Sequence, residues 1–432
     1  MLDIKFIRDN PDKVKEGIAK KQVKIDIDRL LALDEARRGS LQKIESLRAE
    51  QNKLGKEDIV KAQGIKAEIK SLEPALANTE KELNSLMRQL PNLPLDDVPV
   101  GKDERDNVVL REVGSKPKFD FQPKDYMEIA ERLGLIDTET AAKVSGTRFG
   151  YLKREAVLLE FALINHAFNV LTSESSIKKI ADSIKKGYPA KTFIPVMPPV
   201  MIKPEVFVKM ARLSERDKDE RYYLPQDDLY LVGSSEHTLG PMHMDEIIEE
   251  KNFPLRYVGF STCFRREAGA YGKDTRGILR VHQFDKVEME SFVAPENSVL
   301  EQNFFVAIQE YLMRSLAIPY QVVMICAGDM GAPDARQVDI EAWMPSQDKY
   351  RETHTADLMT DYQSRRLNTR MKRKDNKIEF VHMNDATVLA IGRTLIAIIE
   401  NYQQKDGSVA VPKVLQKYTG FKRISGGPTS RN

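Results

Sequence analysis

The sequence predicts an α+β protein built on an antiparallel β-sheet flanked by helices and preceded by an N-terminal helical arm. Three observations lead there. An apolar stripe with heptad spacing occupies residues 27–90. Beyond Leu229, short β-like runs alternate with helices without a βαβ rhythm, which argues against a parallel sheet. The stretch CFRREAGAYGKDTRGILRVHQFDKVEME, from Cys263 to Glu290, places charge and glycine between two β-like runs, the pattern of a strand–loop–strand hairpin.

The arm comes first. Ile65, Ile69, Leu72, Leu76, Thr79, Leu83, Leu86 and Leu90 recur at alternating steps of four and three. Leu30, Leu33, Ile44, Leu47 and Leu54 fit a similar frame, with Arg37, Ser40 and Gln51 at its weaker positions. With Gly55 to Gly64 separating the halves, the expectation is an antiparallel hairpin whose stripes face each other. A first helix of about 28 residues would be roughly 40 Å long. Pro74 falls inside the return stripe, where a proline costs about 3 kcal/mol, so a kink or a helix beginning near Pro74 is expected. Between Arg29 and Lys56, seven Lys/Arg face four acids, a mild excess. That leaves two readings open, a dimerisation rod and an arm that grips a partner.

LPNLPLDDVPVGKDERDN (90–107) is polar and proline-rich, and reads as a linker dividing a domain at 1–107 from a body at 108–432. In the body, DYMEIAERLGLID and REAVLLEFALINHAFNVLT read as amphipathic helices, and KTFIPVMPPVMI as an extended segment. The tail KRISGGPTSRN is expected to fray.

Composition narrows the function. The 432 residues are 41% hydrophobic and 31% charged, with a net charge of +2, so there is no global basic field and DNA is not an expected partner. Cys263 and Cys326 form no zinc or disulfide spacing, which suits a reducing cytoplasm. The charged start MLDIKFIRDNPDKVKEG lacks an apolar segment and no apolar run reaches membrane length, so neither signal peptide nor membrane span is expected. His237 and His243 have no third ligand nearby, so zinc is not predicted. Ser235, Glu236 and His237 are adjacent, which is not hydrolase-triad geometry. P-loop and Rossmann glycine patterns are missing.

The charged stretch from Cys263 to Glu290 is the candidate site. Strand alternation puts Arg280, His282, Phe284, Lys286 and Glu288 on one face. Leu279, Val281, Val287 and Met289 make an apolar back, and Arg265 and Glu267 share a face of the partner strand. A ring can stack on a base, guanidinium forks pair with phosphate, and a carboxylate can hold an ammonium group. The competing reading is an exposed hairpin decorated with ion pairs. Further on, Gly392 and Arg393 open an apolar helix, TLIAIIENY, where a helix N-terminus beside an arginine makes an anion site.

At these residues the chain resembles the seryl-tRNA synthetases, which are class II aminoacyl-tRNA synthetases. FRREAGAYGKDTRGILRVHQFDKVEM is similar to their motif 2, VLAIGRTLIAIIENYQQKDGSVAVPKVLQKY to motif 3, and FIPVMPPVMI to motif 1 with Pro199 as its proline. The N-terminal start and the linker match as well. The resemblance implies a class II antiparallel sheet core and a serine–tRNA ligase: serine and ATP give seryl-adenylate, and the seryl group passes to the 3′ end of tRNA(Ser). It also implies a homodimer in the cytoplasm and an arm that binds the tRNA.

Residue by residue, it implies that Arg265, Glu267 and Arg393 are catalytic and that Arg265, Arg266, Glu267, Val281, Phe284, Glu352, Thr353, His354, Thr355 and Arg393 bind ATP. Serine would be held by Ser234, Ser235, Glu236, Arg265, Glu288 and Thr387, and Mg²⁺ accompanying ATP by Glu352 and Thr355. In the arm, Arg37, Arg38, Lys43, Arg48 and Lys53 would meet tRNA. The chain departs from the family around the amino-acid pocket. Ser234-Ser235-Glu236 stands for a usual Thr-Ala-Glu, Ala356-Asp357-Leu358 for Cys-Ser-Asn, and Asp385, Ala386 and Val388 for an Asn-Gly…Gly setting. Two alternatives follow: a non-catalytic, synthetase-like tRNA-binding protein, or activation of another small amino acid.

Overall fold

A computed structural model describes all residues except 215–216, 269–275 and 427–432, and all side chains of those residues except Lys56. Gly269, Gly272 and Lys273 of the motif 2 loop therefore lie outside the described residues. Helices α1 (Ile4–Asp9) and α2 (Pro11–Lys20) lead into the arm, formed by α3 (Ile27–Gln51) and α4 (Ile59–Gln89). The Asp26 carboxylate caps α3 by accepting from the Arg29 amide at 2.8 Å. The arm is an antiparallel hairpin, as the stripes predict, but its bounds differ. The turn spans only 52–58, Gly64 sits inside α4, and α4 runs through Pro74 without restarting there. Pro74 is exposed, so water can reach the Lys70 carbonyl that loses its amide partner. Ile69, Leu72 and Leu76, on either side of it, stay packed against Ile44 and Leu47 of α3. At the base, Leu30, Leu33, Leu83, Met87 and Leu90 join Ile7, Val14 and Ile18 in a second cluster that reaches Tyr362 of the body.

The segment 90–107 is no free tether. Leu90, Asn92 and Val98 are buried. The Asn92 side chain donates to the carbonyls of Pro333 (2.9 Å) and Met359 (2.8 Å). Lys21, from the end of α2, is buried and donates to the carbonyls of Gly331 (2.7 Å) and Asp334 (2.5 Å). Burial pulls its ammonium down to about 8. The N-terminal region thus clasps the body loop 328–335.

The body is an eight-stranded sheet, in chain order β1 (Val108–Val113), β2 (Ile194–Val196), β3 (Leu255–Phe264), β4 (Gln283–Val293), β5 (Tyr320–Met324), β6 (Arg336–Met344), β7 (Lys349–Thr360) and β8 (His382–Ala390). Their spatial order is β1-β5-β6-β7-β8-β4-β3-β2, antiparallel throughout except that β2 joins β3 in parallel. Helices α5 (Glu155–Leu171), α6 (Pro204–Lys209), α7 (Ser298–Leu316) and α8 (Ile391–Asn401) pack around it. The main core lies between the sheet and α5, α7 and α8, and includes Leu159, Leu163, Phe304, Phe305, Ile308, Leu312, Leu395 and Ile398. In the tail, Arg423–Ile424 pair with Val409–Ala410, so fraying does not reach back to Lys422 as expected.

Two polar devices sit inside this core. Gln302 of α7 donates to the carbonyls of Arg336 and Ala356, and Gln309 to those of Thr355 (2.7 Å) and Thr387 (2.8 Å). Strands β7 and β8 pair only from Ala356 toward Thr360. Gln309 takes up two carbonyls, of Thr355 and Thr387, where that ladder stops. The second device is Arg256 of β3, which forks onto Glu301 of α7 at 2.7 and 2.8 Å with both side chains wholly buried. Arg256 also donates to the carbonyls of Pro189 and Lys191, and Tyr188 donates to Glu301 at 2.6 Å. Deleting one half of such a pair leaves an uncompensated buried charge. Glu301→Ala is expected to cost about 3–5 kcal/mol, read as a lower urea midpoint. A loss under 1 kcal/mol would show that the pair contributes little.

Candidate functional site

The site is a cleft over the centre of the sheet, opening where β7 and β8 part beyond Ala356. One lobe of about 300 Å³ is lined by Phe284 and Lys286 of β4, Glu352, Thr353 and Thr355 of β7, Thr387 of β8, and Gly392 and Arg393 of α8. Arg265, Glu267, Leu279, Arg280 and Val281 come from the motif 2 loop. A second lobe of about 460 Å³ shares Arg212, Arg265, Glu267, Lys286 and Asp357 with it and extends to Glu236 and Arg221.

The hairpin reading needs one correction. Strand β3 ends at Phe264 and β4 begins at Gln283, so Arg265, Glu267, Arg280, Val281 and His282 lie outside the ladder. Alternation holds from Gln283 onward: Phe284 and Lys286 face the cleft, while Val287 and Met289 are buried in the core. Leu279 and Val281, placed on the apolar back by counting, are buried in the same core, but both also border the cleft. Without strand pairing, the two-residue period no longer decides which side a residue takes. Glu267 has φ +52°, which turns its chain out of the extended course, and its carboxylate accepts from Arg280 at 2.7 Å.

Glu352 and Thr355 are three apart, so a regular strand would show them on opposite faces. The register between β6 and β7 jumps from Ile340↔His354 to Glu341↔Glu352, leaving Thr353 as the extra residue of a bulge. That insertion brings Glu352 and Thr355 into one cleft. The Glu352 carboxylate is half exposed and accepts from Arg393 at 2.8 Å, and Arg393 is the main reason it stays below the ordinary carboxylate range. Arg393 stands in the first turn of α8, as expected. The Arg265 guanidinium lies 5.2 Å from the Phe284 ring centre, and its Nε donates to the Gly233 carbonyl at 3.1 Å.

Toward the amino-acid end, Glu288 is buried. It accepts from Thr387, its cross-strand partner, at 3.1 Å, and pairs with Lys286. Burial pushes its carboxyl up, and Lys286 partly offsets this. For Glu236, burial works against ionisation, but Arg212 at 2.7 Å and then His237 hold it well below the ordinary range.

Besides Glu288, buried behind Thr387, four residues predicted for ATP or serine stand apart from the cleft lining. Arg266 is exposed, with its guanidinium 5.7 Å from the Tyr222 ring. His354 is buried beside Thr353, 2.8 Å from its hydroxyl, and burial lowers its pKa to about 4. Ser234 and Ser235 are buried behind Glu236, where the Ser234 hydroxyl accepts from the Glu236 amide at 3.4 Å. Sequence reasoning gave no role to Lys286, although alternation had put it on the working face. It missed Arg212, which sits in an irregular segment after α6 and has no periodic or motif signal. In the arm, Arg37, Arg38, Lys43 and Arg48 pair with Glu80, Asp34, Glu68 and Glu73. The pairs of Arg37, Lys43 and Arg48 are exposed on both sides, so each is worth about 0–1 kcal/mol and can exchange for phosphates, whereas Arg38 pairs with the buried Asp34. Lys53 is exposed near the turn.

An antiparallel sheet with an arginine, a stacking ring and a helix N-terminus converging on one cleft is the arrangement of a class II tRNA synthetase core. The family model for that core (G, H, P, S and T) matches residues 220–402, and the seryl-tRNA synthetase N-terminal domain model matches 1–94. The chain is 42% identical to a serine–tRNA ligase of Dictyoglomus turgidum, over 98% of this chain and 99% of that one. It is similar to the crystal structure of seryl-tRNA synthetase from Pyrococcus horikoshii complexed with ATP, with TM-score 0.89 and 39% identity over 99% and 100% of the two chains. The cytoplasmic serine–tRNA ligase of Naegleria fowleri in complex with AMP gives TM-score 0.86 and 33% identity, covering 99% of each. The chain belongs to the seryl-tRNA synthetase family.

Phe284 is a ring lining this cleft on which a base can stack. Phe284→Ala is expected to weaken ATP binding by about 1–3 kcal/mol in calorimetric titration. Unchanged ATP affinity would remove the stacking role.

Proposed function

We propose that the protein is a serine–tRNA ligase that activates serine with ATP and transfers the seryl group to tRNA(Ser). The observation that supports this most is the convergence of Arg265, Phe284, Glu352, Thr387 and Arg393 in one cleft, with Glu288 buried against Thr387, in a chain that matches its family over 98% of its length. Adenine stacks on Phe284, Arg265 takes the α-phosphate, and Arg393 takes the γ-phosphate at the N-terminus of α8. Serine lies between Glu288, Thr387 and Glu236, with its ammonium on the carboxylates and its hydroxyl within the polar end. Its own carboxylate attacks the α-phosphorus, and pyrophosphate leaves. No side chain acts as nucleophile, so the residues contribute position and charge stabilisation.

Magnesium fits as a companion of ATP. Glu352 and Thr355 offer hard oxygens on the same side of the cleft, and the Glu352 carboxylate is already ionised beside Arg393. Among the described residues no three His, Cys, Asp or Glu side chains converge on one metal position, so phosphate oxygens would complete the set. When bound, the ion neutralises charge on the departing pyrophosphate.

In this reading residues 1–107 form the tRNA-binding domain and 108–432 the catalytic domain. The arm cations, of which Arg37, Lys43 and Arg48 are held in exposed pairs, turn to the tRNA backbone. No single helix among the described residues is long and apolar enough to cross a membrane, and the free buried thiols Cys263 and Cys326 suit a cytoplasmic enzyme.

A homodimer is part of the proposal. Leu158 and Phe161 on α5 are 51% and 57% exposed, and Ile194 and Met197, at and just beyond the edge strand β2, are 50% and 76% exposed. Such apolar exposure is resolved by burial against a second copy. Sedimentation equilibrium should return twice the chain mass, and a single-chain mass at micromolar concentration would refute the dimer.

Serine-dependent ATP–pyrophosphate exchange tests the activity. Exchange is expected with serine above other amino acids, and none with pure folded protein and magnesium would sink the proposal. Exchange that is stronger with another small amino acid would reassign the substrate. Arg393→Ala is expected to lower the exchange rate by about a hundredfold or more with little change in melting temperature. Equal loss of both would mark Arg393 as structural.

A further inference from the structure

The registers of the central strands place Glu290 of β4 opposite Asp385 of β8, and Asp385 opposite Asp357 of β7. Three carboxyl groups thus stand side by side across the sheet, all buried. Neither Glu290 oxygen has a hydrogen-bond partner among the described residues, nor has Oδ1 of Asp385. Like charges directly opposite each other destabilise a sheet, and unpaired charge in the interior costs far more. Arg212 makes ion-pair contacts with this row. The Arg212 guanidinium lies 3.2 Å from Asp385, 3.7 Å from Asp357 and 3.7 Å from Asp334, and its Nε lies 2.7 Å from Glu236. Two of the acids, Asp357 and Asp385, are positions where the chain departs from its family, so the departures and Arg212 make one charge-coupled unit.

We propose that Arg212 is a positioning residue for the amino-acid half of the reaction: it orients Glu236 as the anion offered to the substrate ammonium and covers the carboxyl row beneath. This rests on the serine-activating reading of the cleft. The acids answer differently to the same guanidinium. Burial and neighbouring carboxyls push Asp357, Asp385 and Glu290 well above the ordinary range, while Glu236, with the shortest contact, is held well below it. Arg212 also lines both lobes of the cleft, so Glu236 is fixed at the junction where ATP and amino acid must meet.

Pyrophosphate exchange is measured for wild type, R212Q, R212K and the triple variant R212Q/D357S/D385N, in which the lost cation is matched by lost acids. In R212Q the KM for serine is expected to rise by about thirtyfold, through loss of the close Arg212–Glu236 ion pair, with the KM for ATP within about threefold. R212K, which keeps the charge without the fork, should fall between. The triple variant should recover wild-type melting temperature yet keep the raised serine KM, because nothing orients Glu236, and it decides the matter if R212Q does not fold. A wild-type serine KM in the triple variant would overturn the positioning role, since Arg212 would then only neutralise the row. A KM for ATP rising in step with that for serine would overturn it as well. Loss of both with no wild-type exchange would instead bring down the proposed function, and this inference with it.

Discussion

Charge on the inner strands of a sheet must be answered by charge brought from elsewhere, and this constraint shapes the molecule. Strands β4, β7 and β8 place Lys286, Glu288, Glu290, Asp357 and Asp385 in the interior. Lys286 answers Glu288 on the same strand, whereas Glu290, Asp385 and Asp357 stand side by side across the ladders. Arg212, after α6, reaches that row, while Arg393 of α8 and Arg265 of the motif 2 loop bring cations to Glu352. The cleft is where those segments meet, so the need to balance buried charge and the ability to bind a zwitterion and a polyphosphate share one origin.

The opening of that cleft depends on defects in the ladder. A bulge at Thr353 turns Glu352 and Thr355 to the same side, and the parting of β7 and β8 leaves carbonyls that Gln309 must take up from α7. Gln302, Gln309 and the Arg256–Glu301 fork hold α7 against the underside of the sheet at fixed points. The floor of the site is thereby tied to α7 at several points. Such anchoring suits a reaction whose catalysis is positioning.

The arm is bound to the body by the same economy of contacts. Lys21 and Asn92 clasp the loop 328–335, which also supplies Asp334 to Arg212. A short path of direct contacts therefore runs from the base of the arm to the amino-acid end of the cleft. Along the arm, exposed ion pairs occupy Arg37, Lys43 and Arg48 without holding them strongly.

Much of this was legible beforehand. Heptad spacing on both sides of a glycine-bounded break made an antiparallel hairpin the expected packing, and alternation correctly sorted Phe284 and Lys286 from Val287 and Met289. Motif resemblance brought Arg265, Glu352 and Arg393 together across more than a hundred residues. What periodicity could not reach were the places where a period is broken. The extra residue at Thr353, the exit of Val281 from the strand and the unbroken course of α4 through Pro74 each depend on packing against a neighbour. Arg212 lies in a segment with no repeat at all. By itself the sequence determined the elements, their class and the residues that bear charge. Only the tertiary structure decided which charges meet, because strand register and loop approach are set by long-range packing that no local pattern records.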